Sequence, residues 1–217
     1  MLFKALKGTF ILSLIILAAC SQQKGPYNQG VYMLIDTSGT YTKELSQAQR
    51  IINFTLSKLN PGDTFAVARV DTASFTEKNI IDKVTFDDRP SMTNEQKRKF
   101  RDKIDKFIKQ VKPSAYTDIT GGILQAIEYL NEANTGKKTI MIFSDLKEEL
   151  RKGYVRNIPL QLNGIKVVAL NVTKLRSDNV DPREYLDRLD SWRHKVESGG
   201  GQWRVINDLE RLDSLFN

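Results

Sequence analysis

The amino-acid sequence predicts an α/β domain with a Rossmann-like, mostly parallel central sheet flanked by helices on both faces. Two observations lead there. Short β-rich runs alternate with longer helical patterns along the whole chain, and the runs are apolar almost without interruption. Strands of that kind are buried on both faces, as happens when crossover helices cover a parallel sheet.

The elements follow in chain order. Residues 1–19 hold Lys4 and Lys7, then the apolar run FILSLIIL, then small residues, which is the layout of a secretory signal and too short to span a bilayer comfortably. Residues 20–29 are polar and carry Gly25-Pro26, so they read as a flexible tether ahead of a single domain over 30–217. The first strand is expected at 31–35. Leu45, Ala48, Ile52, Leu56 and Leu59 then recur at helical spacing until Asn60-Pro61-Gly62 stops the helix. Strands are expected at 65–70 and, with a weaker pattern, at 80–86. Residues 94–112 place Phe100, Ile104, Phe107, Ile108 and Val111 on one helical face and crowd cations onto the rest, the pattern of a solvated face whose long stems cover the core edge. Ile119, Ile123, Ile127 and Leu130 mark another helix, ending before Gly136. Strands at 139–143, 166–172 and 203–206 complete the alternation.

Composition narrows the setting. The chain has 217 residues, 40% of them hydrophobic, enough for one domain with a full core. Its formal net charge of +7 drops by two when residues 1–19 are removed, since Lys4 and Lys7 leave and no acid does. Such a balance is compatible with lying near anionic headgroups, but it lacks the concentrated basic stripe that nucleic acid demands. Cys20 is the only cysteine, so no intramolecular disulfide can form. Leu17-Ala18-Ala19-Cys20 resembles the bacterial lipobox, which implies cleavage before Cys20, lipid modification of its thiol and a place in the cell envelope. By resemblance to Gram-negative lipoproteins, Ser21 after the cysteine favours the periplasmic side of the outer membrane over the inner membrane.

The chemistry gathers at strand ends. In an open parallel sheet ligands collect beyond the carboxyl ends of strands, near the point where strand order reverses. Asp36-Thr37-Ser38-Gly39-Thr40 follows the first strand, Asp145 follows the strand at 139–143, and Thr117 sits in the turn entering a helix. Two carboxylates with several hydroxyls suit a hard divalent cation, magnesium above all, which takes few direct carboxylates and keeps water. Ser38, Thr40 and Thr117 would touch the metal while Asp36 and Asp145 hold its waters. Mostly neutral ligands leave the cation much of its charge, which invites a carboxylate from another protein. Each residue also has a plainer role open to it: Asp36 or Thr40 could cap the first helix, Thr117 or Asp118 the later one, and Asp145 could shape a turn. His194, alone on a basic helical segment, reads as a surface residue.

Asp36-x-Ser38-x-Thr40, then Thr117, then Asp145, each at its place in the alternation, resembles the metal-ion-dependent adhesion site of von Willebrand factor A domains. The resemblance covers roughly residues 30–217. It implies the A-domain fold, a Mg2+ or Mn2+ ion at Asp36, Ser38, Thr40, Thr117 and Asp145, and a non-catalytic role in adhesion or complex assembly through a partner's Asp or Glu. Two departures from the pattern stand out: Thr40 takes the place of the usual serine and keeps the hydroxyl, while Leu146 in place of a common glycine and Ala115-Tyr116 in place of small residues imply a rim that is narrower or shaped for a particular partner. DTSGT also resembles the motif of haloacid dehalogenase-like phosphotransferases, with Asp36 as a covalent nucleophile. That alternative lacks its second acid, since Ser38 occupies the position, and FSDLKEE lacks adjacent aspartates.

Overall fold

The computed structural model describes residues 27–216 apart from positions 40, 174 and 176. The leader expected over 1–19, Cys20, the expected tether up to residue 26 and Thr40 therefore lie outside the described residues. Six strands, β1 (Gln29–Asp36), β2 (Thr64–Val70), β3 (Ile80–Thr85), β4 (Lys137–Phe143), β5 (Lys166–Leu170) and β6 (Gln202–Ile206), form one sheet in the order β3-β2-β1-β4-β5-β6. Every neighbouring pair is parallel except β2 with β3, where the short turn and 3-10 helix Glu77–Asn79 allow only an antiparallel return at the edge. Strand order runs outward in one direction from β1 to β3 and in the other from β4 to β6, so the switch point lies between β1 and β4.

Among the described residues four α-helices cover the sheet: α1 (Leu45–Lys58), α2 (Pro90–Gln110), α3 (Ile119–Glu132) and α4 (Pro182–Ser198). Alternate residues of β1 separate two cores. Val31, Met33 and Ile35 enter one with Leu45, Ile52, Phe100 and Ile104, while Tyr32 and Leu34 enter the other with Ile119, Ile123, Trp192 and Val196. The first core is roofed by α1 and α2, the second by α3 and α4. Gly122 is what lets α3 lie so close to β1, because a Cβ there would stand 2.9 Å from Leu34 Cδ2.

The expected elements differ from the observed ones mainly at their ends. The cationic helix begins at Pro90, ahead of the Asn94 expected for it, with the proline in the first turn where its missing N–H is not needed. The strand expected over 166–172 stops at Leu170, because Asn171 turns into the left-handed region at φ 54° and carries the chain off the ladder. Of the expected apolar face of α2, Phe100 and Ile104 are buried, while Ile108 and Val111 pack against that core from its margin. His194 is exposed on α4. No helix among the described residues is long and apolar enough to cross a membrane.

Candidate metal centre

Asp36 ends β1 and Asp145 follows β4 by two residues, so the register that pairs Ile35 with Phe143 brings both carboxylates to the rim at the switch point. Each is almost wholly buried, Asp36 at 1% exposure and Asp145 at 4%. Asp36 Oδ1 accepts from the Ser38 amide at 2.8 Å, which folds the loop back over the strand end, and its Oδ2 accepts from the Ser144 hydroxyl at 2.6 Å. Asp145 Oδ1 accepts from the Lys147 amide at 2.9 Å. Asp36 thus does not cap α1, whose first residue follows Glu44 with no side-chain cap. Both aspartates shape the turns they start, and neither is ion-paired with a lysine or arginine among the described residues.

Burial pushes the Asp36 carboxyl above the ordinary carboxylate range, against the pull of the hydrogen bonds from Ser144 and Ser38. Burial does the same to Asp145, with the nearby negative charge of Asp36 adding to it. Glu149 adds to the rise at Asp36, and Arg188 and Lys147 pull Asp145 back only in part, so two buried acids with no direct ion pair among the described residues create a demand for positive charge.

The other strand of the rim arrives through residues 112–118. Ser114 N donates to Thr37 O at 2.8 Å, and a bridge joins Ser38 to Ser114, so the Ser38 loop and the Thr117 loop are laced together. Thr117 is buried at 3% exposure and exchanges both backbone hydrogen bonds with Glu149, at 2.8 and 3.0 Å. Ser38 O accepts from the amides of Tyr41 and Thr42, starting the 3-10 turn Thr42–Glu44, and Tyr41 is anchored beneath the loop by its hydroxyl on Asn171 O and its ring edge-on to Phe143. Of the five residues expected at a metal, the structure brings Asp36, Ser38, Thr117 and Asp145 to one rim, and Thr40 lies outside the described residues. The described donors are oxygens only, two buried carboxylates and two hydroxyls, a set that fits a hard divalent ion.

Several residues around this rim were missed in the sequence. Ser144 was hidden at the end of the β4 run, although a hydroxyl directly before Asp145 was visible. Asp118, expected as a candidate cap of α3, caps it and does more. Its Oδ1 accepts from Gly121 N at 2.8 Å at the start of α3, its Oδ2 from Ser74 N at 2.9 Å, and the Arg156 guanidinium forks onto both oxygens, with Nη2 at 2.7 Å from Oδ2. Arg156 carried no sequence signal, since every other residue from 151 to 159 is exposed. From α4, Arg188 donates to Asp145 O at 2.9 Å and Trp192 Nε1 to Leu146 O at 2.9 Å, so the turn after Asp145 is held from below.

Neither a protein-family model nor a curated protein sequence matches the chain. Solved structures do. A von Willebrand factor type A protein from Catenulispora acidiphila superposes with a TM-score of 0.52 at 15% identity, over 88% of this chain and 41% of that one. The open conformation of the pilus adhesin SpaC from Lactobacillus rhamnosus GG superposes with a TM-score of 0.54 at 10% identity, over 91% of this chain and 30% of that one. This chain therefore spans less than half the length of either. Identities this low speak to backbone arrangement alone, and together with the sheet order and the two helical layers they establish that residues 27–216 adopt the von Willebrand factor A fold.

Proposed function

We propose that this chain is a lipid-anchored binding module of the bacterial cell envelope that grips an acidic side chain of a partner protein through a divalent cation, Mg2+ or Mn2+, without catalysing a reaction. The observation that supports the reading most is the pair of buried carboxylates at the switch point, Asp36 and Asp145, which have no lysine or arginine paired to them among the described residues. A bound cation would supply the Lewis-acidic contact for an incoming carboxylate.

The chain's own residues divide the work. Ser38 and Thr117, with Thr40, would offer hydroxyl oxygens to the ion. Asp36, already hydrogen-bonded to Ser38 and Ser144, would orient those groups from behind, and Asp145 would neutralise charge on the opposite side. Glu149 holds Thr117 by its backbone, and Tyr41 holds the Ser38 loop from below. Anchoring is proposed through Cys20, whose position before the tether is a sequence property.

Calorimetric titration of Mg2+ and Mn2+ into the protein tests the reading. Binding of either ion, lost in Asp36→Ala and in Asp145→Ala, is expected. No heat in the wild type, or heat unchanged in both variants, would overturn it. Turnover of a phosphate ester that disappears in Asp36→Asn would point instead to the haloacid dehalogenase-like alternative.

A further inference from the structure

Asp118 joins two loops that carry apolar side chains into solvent. Ser74 N and Arg156 Nη2 reach the same oxygen, Oδ2, at 2.9 and 2.7 Å, so the loop after β2 and the long segment after β4 meet over the first turn of α3. Beside those two anchors stand Phe75 at 49% exposure, Tyr154 at 39% and Val155 at 72%. They are three of the eight large apolar side chains left exposed among the described residues. Arg156 is the inward-pointing residue in the otherwise exposed run 151–159, and its guanidinium lies 5.7 Å from the Tyr154 ring centre. A buried ion pair with five contacts on one carboxylate ties down Ser74 and Arg156, the chain neighbours of Phe75 and Val155, which lowers the entropy lost when a ligand covers these loops.

Position and charge say what covers them. Asp118 N donates to Asp71 O at 3.1 Å and Thr117 pairs by its backbone with Glu149, so both loops that carry these apolar residues leave from beside the proposed metal rim. Arg151 and Lys152 on the same segment are exposed and take no ion pair among the described residues. A surface that is apolar and cationic, next to a cation that seeks a carboxylate, complements an acidic and apolar protein segment. A membrane would also accept aromatic and basic groups. The chain, however, enters β1 at Gln29, the pole opposite Asp36, and an eight-residue strand separates them by about 25 Å. The proposed tether therefore joins the domain at the end of the strand opposite the collar.

We infer that Phe75, Tyr154 and Val155 form a specificity surface for a partner-protein segment in which the metal-seeking Asp or Glu is flanked by apolar residues. This rests on the metal-dependent reading of the rim, and the test separates the two. Two fluorescent peptides, one with aspartate between leucine and phenylalanine and one with aspartate between serines, are titrated against the full chain in saturating Mg2+ and again in chelator, with anionic vesicles as a third probe. The apolar-flanked peptide is expected to bind at least tenfold tighter than the serine-flanked one, in Mg2+ only. Phe75→Ser combined with Tyr154→Ser and Val155→Ser is expected to erase that preference while Mg2+ affinity, read by calorimetry, stays the same. Failure of Mg2+ to bind at all would refute the metal reading. Mg2+ binding with no preference between the peptides, with neither peptide bound, or with a preference that survives the triple variant or the chelator, overturns the collar. Vesicle binding lost in the triple variant would assign the surface to lipid and overturns it as well.

Discussion

Single residues at the rim sit against their intrinsic preferences, and that makes them informative. Leu146 has φ 66°, a left-handed conformation that glycine adopts freely and that costs a branched residue about 1–2 kcal/mol. Its side chain is buried at 1% exposure in the core under α3 and α4, worth about 2–5 kcal/mol by the usual cost of deleting a buried leucine. Burial outweighs strain, so Leu146→Gly should lower unfolding stability by about 1–3 kcal/mol in denaturant titration, although it relaxes the backbone. Asp36 and Asp145 are raised by burial, so their folded pKa values lie above the unfolded ones. Groups of that kind favour the fold when protonated and oppose it once pH rises through the folded value. Without metal, the melting temperature should therefore increase as pH falls from neutrality toward the ordinary carboxylate value of about 4. Saturating Mg2+ should flatten that slope by supplying the missing counter-charge, and an unchanged slope would show that the carboxylates do not face the ion.

Among elements, α3 is tied to its neighbours at its first turn. Its first turn is capped by Asp118, and Gly121 gives that carboxylate room, since a Cβ there would lie 2.3 Å from Oδ2. Arg156→Gln would leave Asp118 buried with its amide partners but no counter-cation, which should cost about 3–5 kcal/mol. Asp118→Asn together with Arg156→Gln removes both charges and keeps a side-chain oxygen for Gly121 N, so the double variant should recover most of that loss, and denaturant unfolding of the pair and its singles measures the coupling. The elements also show what a sequence can display. The apolar run ending at Asp36 was legible because a parallel strand must be apolar on both faces, and the helical spacing from Leu45 was legible for the same reason of burial. Pro90 could have marked the start of α2, but Arg89 before it is no capping residue, so the helix was expected late. Arg156 could not be read at all, because its partner is distant in the chain and its neighbours follow no period.

The whole molecule places its features at opposite poles. Gln29 enters at one end of the sheet, tied there by its amide on Asp63 Oδ1 at 2.8 Å, while the rim of Asp36, Thr117 and Asp145 crowns the other. That polarity follows from parallel strands, which put every β1-type carboxyl end on one side. The fold class and the convergence of separated segments were readable from alternation and spacing. The edge strand's antiparallel direction and the collar around Asp118 were not, since both arise from tertiary contacts between loops.

The most direct measurement is anomalous diffraction from crystals soaked in Mn2+. A manganese peak within coordination distance of the Ser38 and Thr117 hydroxyls, with Asp36 and Asp145 turned toward its waters, is the expected result. Ordered side chains with no such peak, or two carboxylates directed away from each other across bulk solvent, would contradict it.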